Sequence, residues 1–432
     1  MLLDSEKSAI QADNQTIKYR LIAMSFMQFF VWGAWLITIA NYWFETKKWG
    51  PAEFGAIFST LGLSSLFMPT ITGIIADRWV NAEKLYGILH FFGGLALLGI
   101  PFVNDSSTFF WLILLAMIFY MPTIALSNSV AYNVLKSKKL DVVKVFPPIR
   151  VWGTIGFIVA MWTTNLTGNK ALAGQFYIAG FAAIALAIYS FTLPKCKPQK
   201  ISKENATIYE TLGLDAFKLF AKYKMVLFFL FSMLLGAALQ LTNMYGDLYL
   251  SEFKNVPQYA DSLVVKYSTI IMSISQISET AFILAIPFFL KRFGIKQVML
   301  ISMFAWVLRF GLLAFGNPAE GLWMIIVSCI VYGMAFDFFN ISGSLFVETT
   351  TESKIRSSAQ GLFMMMTNGV GAILGSYTSG IVIEKFFKLA NGSNDWQNIW
   401  ITFSLYALVV AILFAIFFKH KHNPEEIQEI AH

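Results

Sequence analysis

Stretches of about 20 mainly apolar residues, each long enough to cross a bilayer, recur along nearly the whole of this 432-residue chain. Twelve can be placed, at approximately 21–44, 54–75, 83–103, 109–135, 142–166, 173–194, 223–250, 264–290, 295–316, 321–348, 356–384 and 396–419. Hydrocarbon offers no water to backbone N–H and C=O groups, so a stretch of this kind must satisfy them internally, as a helix. Charged residues make up only 13% of the chain, where a soluble domain carries about 25%. The 42 Phe and 12 Trp suit helices whose aromatic rings anchor at the two interfaces. The expected fold is an all-α integral membrane protein with twelve transmembrane helices.

Loop cations give the orientation, because Lys and Arg concentrate on the cytoplasmic side. With both termini cytoplasmic, the inner segments carry about 23 Lys and Arg and the outer loops 7. The inner set includes Arg78, Lys84, Lys354 and a run of lysines between 195 and 224; the outer set includes Lys47, Lys170, Lys254 and Lys388. Topology thus accounts for the formal charge of +7, and no nucleic-acid partner is needed. The first stretch is too long for a signal-peptide core, lacks a small-residue cleavage site and leads straight into further spans, so it reads as a retained helix. Cys196 and Cys329 fall in a loop and within a span, so neither a disulfide nor a Cys-based metal site is expected. His90 is a lone intramembrane histidine and reads as packed or hydrogen-bonded.

Polar side chains near the middle of oily spans carry the functional signal. Glu279 follows Gln276 by three residues, Asn243 follows Gln240 by three, and Asp337 precedes Asn340 by three. Thr154 and Phe157 lie four and seven residues after Arg150. Such spacings place each set on one helix face. A charge at the bilayer centre costs roughly 2.5–3.5 kcal/mol on insertion scales and is rarely present without a role. Spans five, seven, eight and ten are therefore expected to turn these faces toward a central, water-accessible cavity, the outline of a solute transporter. Amides supply both donors and acceptors, suited to sugar hydroxyls and nucleobase edges. Glu279 and Asp337 are the candidate proton carriers, with Arg150 as counter-charge. Structural roles compete: Arg150, after Pro147-Pro148, could snorkel to the headgroups, the amides could bridge helices, and Tyr332 and Phe336 could merely pack. Arg309 has no polar companion at helical spacing and reads as structural or snorkelling rather than as a substrate contact.

The largest polar break, Lys195 to Lys222, separates six spans from six and includes a candidate amphipathic piece, IYETLGLDAFKLF. It divides the chain into a six-helix bundle over 1–194, a cytoplasmic linker over 195–222 and a second six-helix bundle over 223–432, an arrangement of parallel repeats. Short basic turns at GIIADRW (73–79) and KRFGIK (291–296) occupy equivalent places in the halves. Gly73-x-x-x-Asp77-Arg78 resembles the loop signature of the major facilitator superfamily, although the later Gly and basic residues of that signature are missing after Trp79. FPPIRVWGTIGF (146–157), FSMLLGAALQLTNMYG (231–246), IIMSISQISETAFILAIPFFL (270–290), FDFFNISGS (336–344) and SAQGLFMMMTNG (358–369) are similar to the bacterial nucleoside:proton symporters of that superfamily, over about residues 18–421.

The resemblance implies the major facilitator fold and a nucleoside site lined by Arg150, Thr154, Phe157, Gln240, Asn243, Gln276, Glu279, Tyr332, Phe336 and Asp337. It also implies a cytoplasmic latch involving Asp77 and Arg78, purine and pyrimidine nucleosides and protons as partners, a place in the bacterial inner membrane, and function as a single chain. Proton-coupled nucleoside uptake by alternating access is the expected activity. A proton-coupled sugar symporter is the alternative, since amides, carboxylates and aromatic plates bind sugar rings too, and a passive channel is a more distant one. There is no GxxxxGK[ST] loop for direct use of ATP, no cofactor or metal site is expected, and no nucleophile elbow or Cys–His set points to an enzyme.

Overall fold

The computed structural model describes residues 2–198, 214–352, 355–390 and 392–421. Most of the linker, including Lys200, Lys203 and the first part of the amphipathic piece, lies outside the described residues, as do Lys354 and the tail histidines His422 and His432. The helices are α1 (Leu2–Gly33), α2 (Pro51–Arg78), α3 (Ala82–Gly99), α4 (Ser106–Ser137), α5 (Val142–Leu166) and α6 (Gly174–Ser190). They continue with α7 (Tyr223–Glu252), α8 (Ile274–Phe315), α9 (Leu322–Thr350), α10 (Arg356–Met364), α11 (Ala372–Phe386) and α12 (Trp396–Phe417). Between α10 and α11 the chain takes a π-helical turn over Met365–Gly371.

By length and hydropathy, eight helical stretches among the described residues qualify as membrane spans, fewer than the twelve apolar stretches expected. Two of those stretches run together in α8, which kinks at Gly294. There φ is 77° and ψ 169°, a conformation that glycine alone adopts without strain and that re-aims the chain between them. Helix α6 is short at 17 residues, and the π turn divides the eleventh stretch into α10 and α11. Large apolar side chains stay bare on the outside, Leu284 at 81% and Phe181 at 64% exposure, as suits helices solvated by lipid.

The chain forms two compact units, one of residues 1–42 and 67–202, the other of 43–66 and 203–432. Helix α2 is shared between them, since its first part, with the preceding residues from Trp43, groups with the second unit. In the first unit a buried core joins Leu21 and Met24 of α1, Tyr86 and Leu89 of α3, Val130 and Val134 of α4, Ile149 of α5 and Leu186 of α6. Gln28 on α1 organises a buried polar knot beside it. Its Oε1 accepts from Tyr86 Oη at 2.6 Å and lies 2.8 Å from His90 Nε2, and its Nε2 donates to Thr123 Oγ1 at 2.8 Å. His90 is therefore packed and hydrogen-bonded, as its isolation in the sequence suggests. In the second unit Ser278 of α8 donates to the Ile330 carbonyl of α9, and Ser302 donates to the Ala335 carbonyl at 2.5 Å. Interhelical hydrogen bonds of this kind hold a bundle together where lipid removes the hydrophobic driving force between helices.

Candidate functional site

The sequence-derived site residues fall into two sets, one in each unit. In the first unit α5 stays helical through Pro147 and Pro148. Arg150 is half-buried, and its guanidinium carbon lies 4.0 Å from the centre of the Phe29 ring on α1. That is a cation–π distance, so the head group is held within the unit by a specific ring. Thr154, one turn on, is also half-buried, whereas Phe157 is 9% exposed and meets Trp32 edge-on at 6.3 Å and 88°. Trp32 in turn lies 5.7 Å from Tyr120, whose hydroxyl donates to the Gln28 carbonyl at 2.8 Å.

Phe29, Trp32 and Tyr120 are absent from the residues singled out by sequence. Their signal is lost among many aromatics on apolar helices, which are usually packing. Trp32 differs from those: it is only half-buried, and its indole N–H has no hydrogen-bond partner among the described residues. An aromatic plate with a free donor beside a guanidinium and a hydroxyl can engage a planar heterocycle with polar edges.

In the second unit α8 and α9 bring Gln276, Glu279, Tyr332, Phe336, Asp337 and Asn340 into one neighbourhood. The cause is a very close approach. A methyl group at Gly333 would lie 2.6 Å from the Ser278 carbonyl and 2.7 Å from the Glu279 nitrogen, so the backbones touch where a side chain would separate them. Glu279 and Asp337 sit within electrostatic range of each other, and Tyr332 within range of both. Asp337 is 4% exposed. Gln276 Oε1, Asp337 Oδ2 and Asn340 Oδ1 are buried with no hydrogen-bond partner among the described residues. Leaving such atoms unmatched costs about 1–3 kcal/mol each, an arrangement kept where a ligand supplies the missing donors. The Tyr332 and Phe336 rings stack at 5.7 Å and 14°, an apolar face next to these acceptors. Gln240 and Asn243 lie half-buried one turn apart on α7, and their side chains make no hydrogen bond among the described residues.

Arg309 takes a position that its sequence did not disclose. It is 1% exposed; its Nη1 donates to the Ser328 carbonyl at 2.8 Å and to Ser275 Oγ at 3.3 Å, and its guanidinium carbon lies 4.5 Å from the Tyr332 ring centre. It is thus partnered across helices and does not snorkel. Asp77 and Arg78 at the end of α2 are exposed and form no ion pair among the described residues. Among the described residues no group of three His, Cys, Asp or Glu side chains is placed to hold a metal.

The family model described as "Nucleoside H+ symporter" matches residues 15–423. The xanthosine permease of Escherichia coli (strain K12) is 49% identical over 417 residues, covering 96% of this chain and 99% of that protein. The nucleoside permease NupG of the same organism is 47% identical over 419 residues, 96% of this chain and 100% of its own length. The crystal structure of a mutant of the nucleoside transporter NupG superposes with a TM-score of 0.91 at 48% identity, covering 93% of this chain and 100% of that one. Polar, partly unsatisfied helix faces in an apolar bundle and similarity over almost the full length lead to one conclusion: this chain is a membrane protein of the nucleoside:H+ symporter family.

Proposed function

We propose that this chain imports nucleosides together with protons across a bacterial cytoplasmic membrane by alternating access. Arg150, Thr154 and Phe157 of the first unit and Gln240, Asn243, Gln276, Glu279, Tyr332, Phe336 and Asp337 of the second are the substrate-contacting residues. The observation that carries this reading is the trio of buried, unmatched acceptors, Gln276 Oε1, Asp337 Oδ2 and Asn340 Oδ1, beside a stacked aromatic pair. Ribose hydroxyls and base amino groups are the donors such acceptors lack, and a planar base matches the aromatic face. A proton taken up by Glu279 or Asp337 removes the like-charge repulsion between them, so protonation and loading favour each other. Deprotonation toward the higher-pH side then favours release.

The finer topology belongs to the same reading: twelve spans in a major facilitator arrangement, two six-helix halves over 1–194 and 223–432 joined by the linker 195–222, and both termini cytoplasmic. Asp77 and Arg78 act as a latch at the cytoplasmic ends of helices, and the chain works as a single copy, as a carrier and not an enzyme. Support comes from the loop cations, about 23 inner against 7 outer, and from family membership.

The test is accumulation of labelled uridine and of adenosine by cells expressing the chain, with and without a protonophore. Accumulation that collapses with the proton gradient, and is competed by unlabelled nucleosides but not by a disaccharide, is expected. Unchanged accumulation with protonophore removes proton coupling, and competition by the disaccharide favours a sugar carrier. Lack of saturation and counterflow would indicate a channel.

A further inference from the structure

We infer that the first unit carries a second binding site, for the phosphate group of an anionic lipid, in a basic recess where the turn after α2 meets the chain leaving α6. The recess has a volume of about 440 Å³ and is lined by Arg78, Asn81, Lys84, Lys195, Lys197 and Pro198. Four of its six lining residues are cations, and none of the four forms an ion pair among the described residues. A general excess of inner lysines explains positive loops. It does not explain why cations from separate segments surround one concavity.

The recess is built by specific bonds. Cys196, 5% exposed, sits between the two lysines; its N–H donates to Glu83 Oε2 at 2.8 Å and its carbonyl accepts from the Ala82 N–H at 3.1 Å. Cys196 is buried while Lys195 and Lys197 on either side of it are exposed, so the anchored segment leaves both lysines free to face the recess. Glu83 is 2% exposed and both its oxygens are engaged: Oε1 accepts from Asn81 Nδ2 at 3.0 Å and Oε2 from the Cys196 N–H. It anchors the segment from outside the recess lining and makes no ion pair with the recess cations among the described residues. Asp77 precedes Arg78 but does not line the recess.

Phosphate is the anion such a donor set takes: Arg offers a planar fork and lysines point charges. A lipid is favoured over a soluble phosphate because Trp79, adjacent to Arg78, is 70% exposed, and Phe191 and Ile188 on the approach to Lys195 are 56% and 66% exposed. A bare Trp at the end of a span belongs at headgroup depth. Basic pockets between helices on the inner leaflet are suited to lipid phosphates. Occupancy would tie the loop after α2 to the start of the linker.

The full-length protein, purified in neutral detergent, is offered phosphatidylglycerol or phosphatidylcholine, and retained lipids are counted by native mass spectrometry. Lys84→Gln/Lys195→Gln/Lys197→Gln removes exposed recess cations; Lys136→Gln/Lys139→Gln/Lys144→Gln removes equal charge elsewhere on the same unit and serves as control. Preferential retention of phosphatidylglycerol, weakened roughly tenfold to a hundredfold by the recess variant and little changed in the control, is expected. Equal loss in both variants, or no preference for phosphatidylglycerol, overturns the site. A parallel arm measures melting with inorganic phosphate alone. Stabilisation there that the recess variant abolishes, without lipid retention, overturns the lipid assignment and leaves a soluble phosphate as the ligand.

Discussion

The Arg309 guanidinium carbon lies 4.5 Å from the centre of the Tyr332 ring, and Tyr332 stacks on Phe336, so a cation from α8 lies against a stacked aromatic pair on α9. A desolvated cation–π contact is worth about 2 kcal/mol. Arg309→Lys keeps the charge but loses the flat guanidinium face and the fork that reaches Ser328 and Ser275. The expected result is a rise of roughly tenfold in KM for nucleoside uptake with a smaller change in maximal rate. An unchanged KM with lower thermal stability would make Arg309 purely structural.

Gly333 lets α8 and α9 meet at Ser278 and Glu279, and the atoms it faces are backbone, which cannot swing aside. Gly333→Ala should therefore push the helices apart and destabilise the protein by about 1–3 kcal/mol, the usual range for overpacking. A lowered melting temperature together with altered pH dependence of uptake is the expected pair of observations, since the shift also moves Glu279. A full melting temperature would mean that the seam relaxes freely.

Asp337→Asn keeps the shape and hydrogen-bonding capacity of the side chain but removes its titration. Concentrative, pH-dependent uptake should fall much more than exchange of labelled for unlabelled nucleoside across the membrane. If that variant still accumulates substrate fully, coupling passes to Glu279, and Glu279→Gln becomes the variant that separates accumulation from exchange.

Phe157 and Trp32 meet at right angles, and the Trp32 indole N–H has no partner among the described residues. Trp32→Phe removes that donor while retaining an aromatic ring, so it should weaken nucleoside uptake about fivefold to tenfold, the worth of one net hydrogen bond. Phe157→Ala should weaken nucleosides more than free ribose in competition. Equal losses for both ligands would show a packing role alone.

Asp105 caps α4, accepting the Thr108 N–H at 2.8 Å, and that bond holds its carboxyl below the usual carboxylate range. A group whose folded value is depressed contributes stability above its unfolded value and loses it as pH falls through the folded value. Asp105→Ala should lower the melting temperature near neutral pH, and the difference from the parent should shrink in acid. A gap that widens in acid would contradict the cap.

Residue order alone was enough to establish that this chain forms apolar helices and that Arg150, Gln276, Glu279 and Asp337 stand on polar stripes within them. Periodicity of three, four and seven residues reports which side chains share a face of one helix, and hydrocarbon permits little backbone other than helix. What each face meets was fixed by the packing of helices in three dimensions. Arg309 looked companionless because Ser275, Ser328 and Tyr332 approach it from other turns and another helix, a matter of helix rotation that no spacing along one strand of sequence encodes. Trp32 and Phe29 were hidden for the same reason: an aromatic on an apolar helix becomes distinctive only when a guanidinium or an unmatched N–H is found beside it. Continuity at Pro147 and Pro148 was likewise decided by packing: each ring removes a backbone donor, yet the bundle keeps that helix unbroken up to Arg150 and beyond.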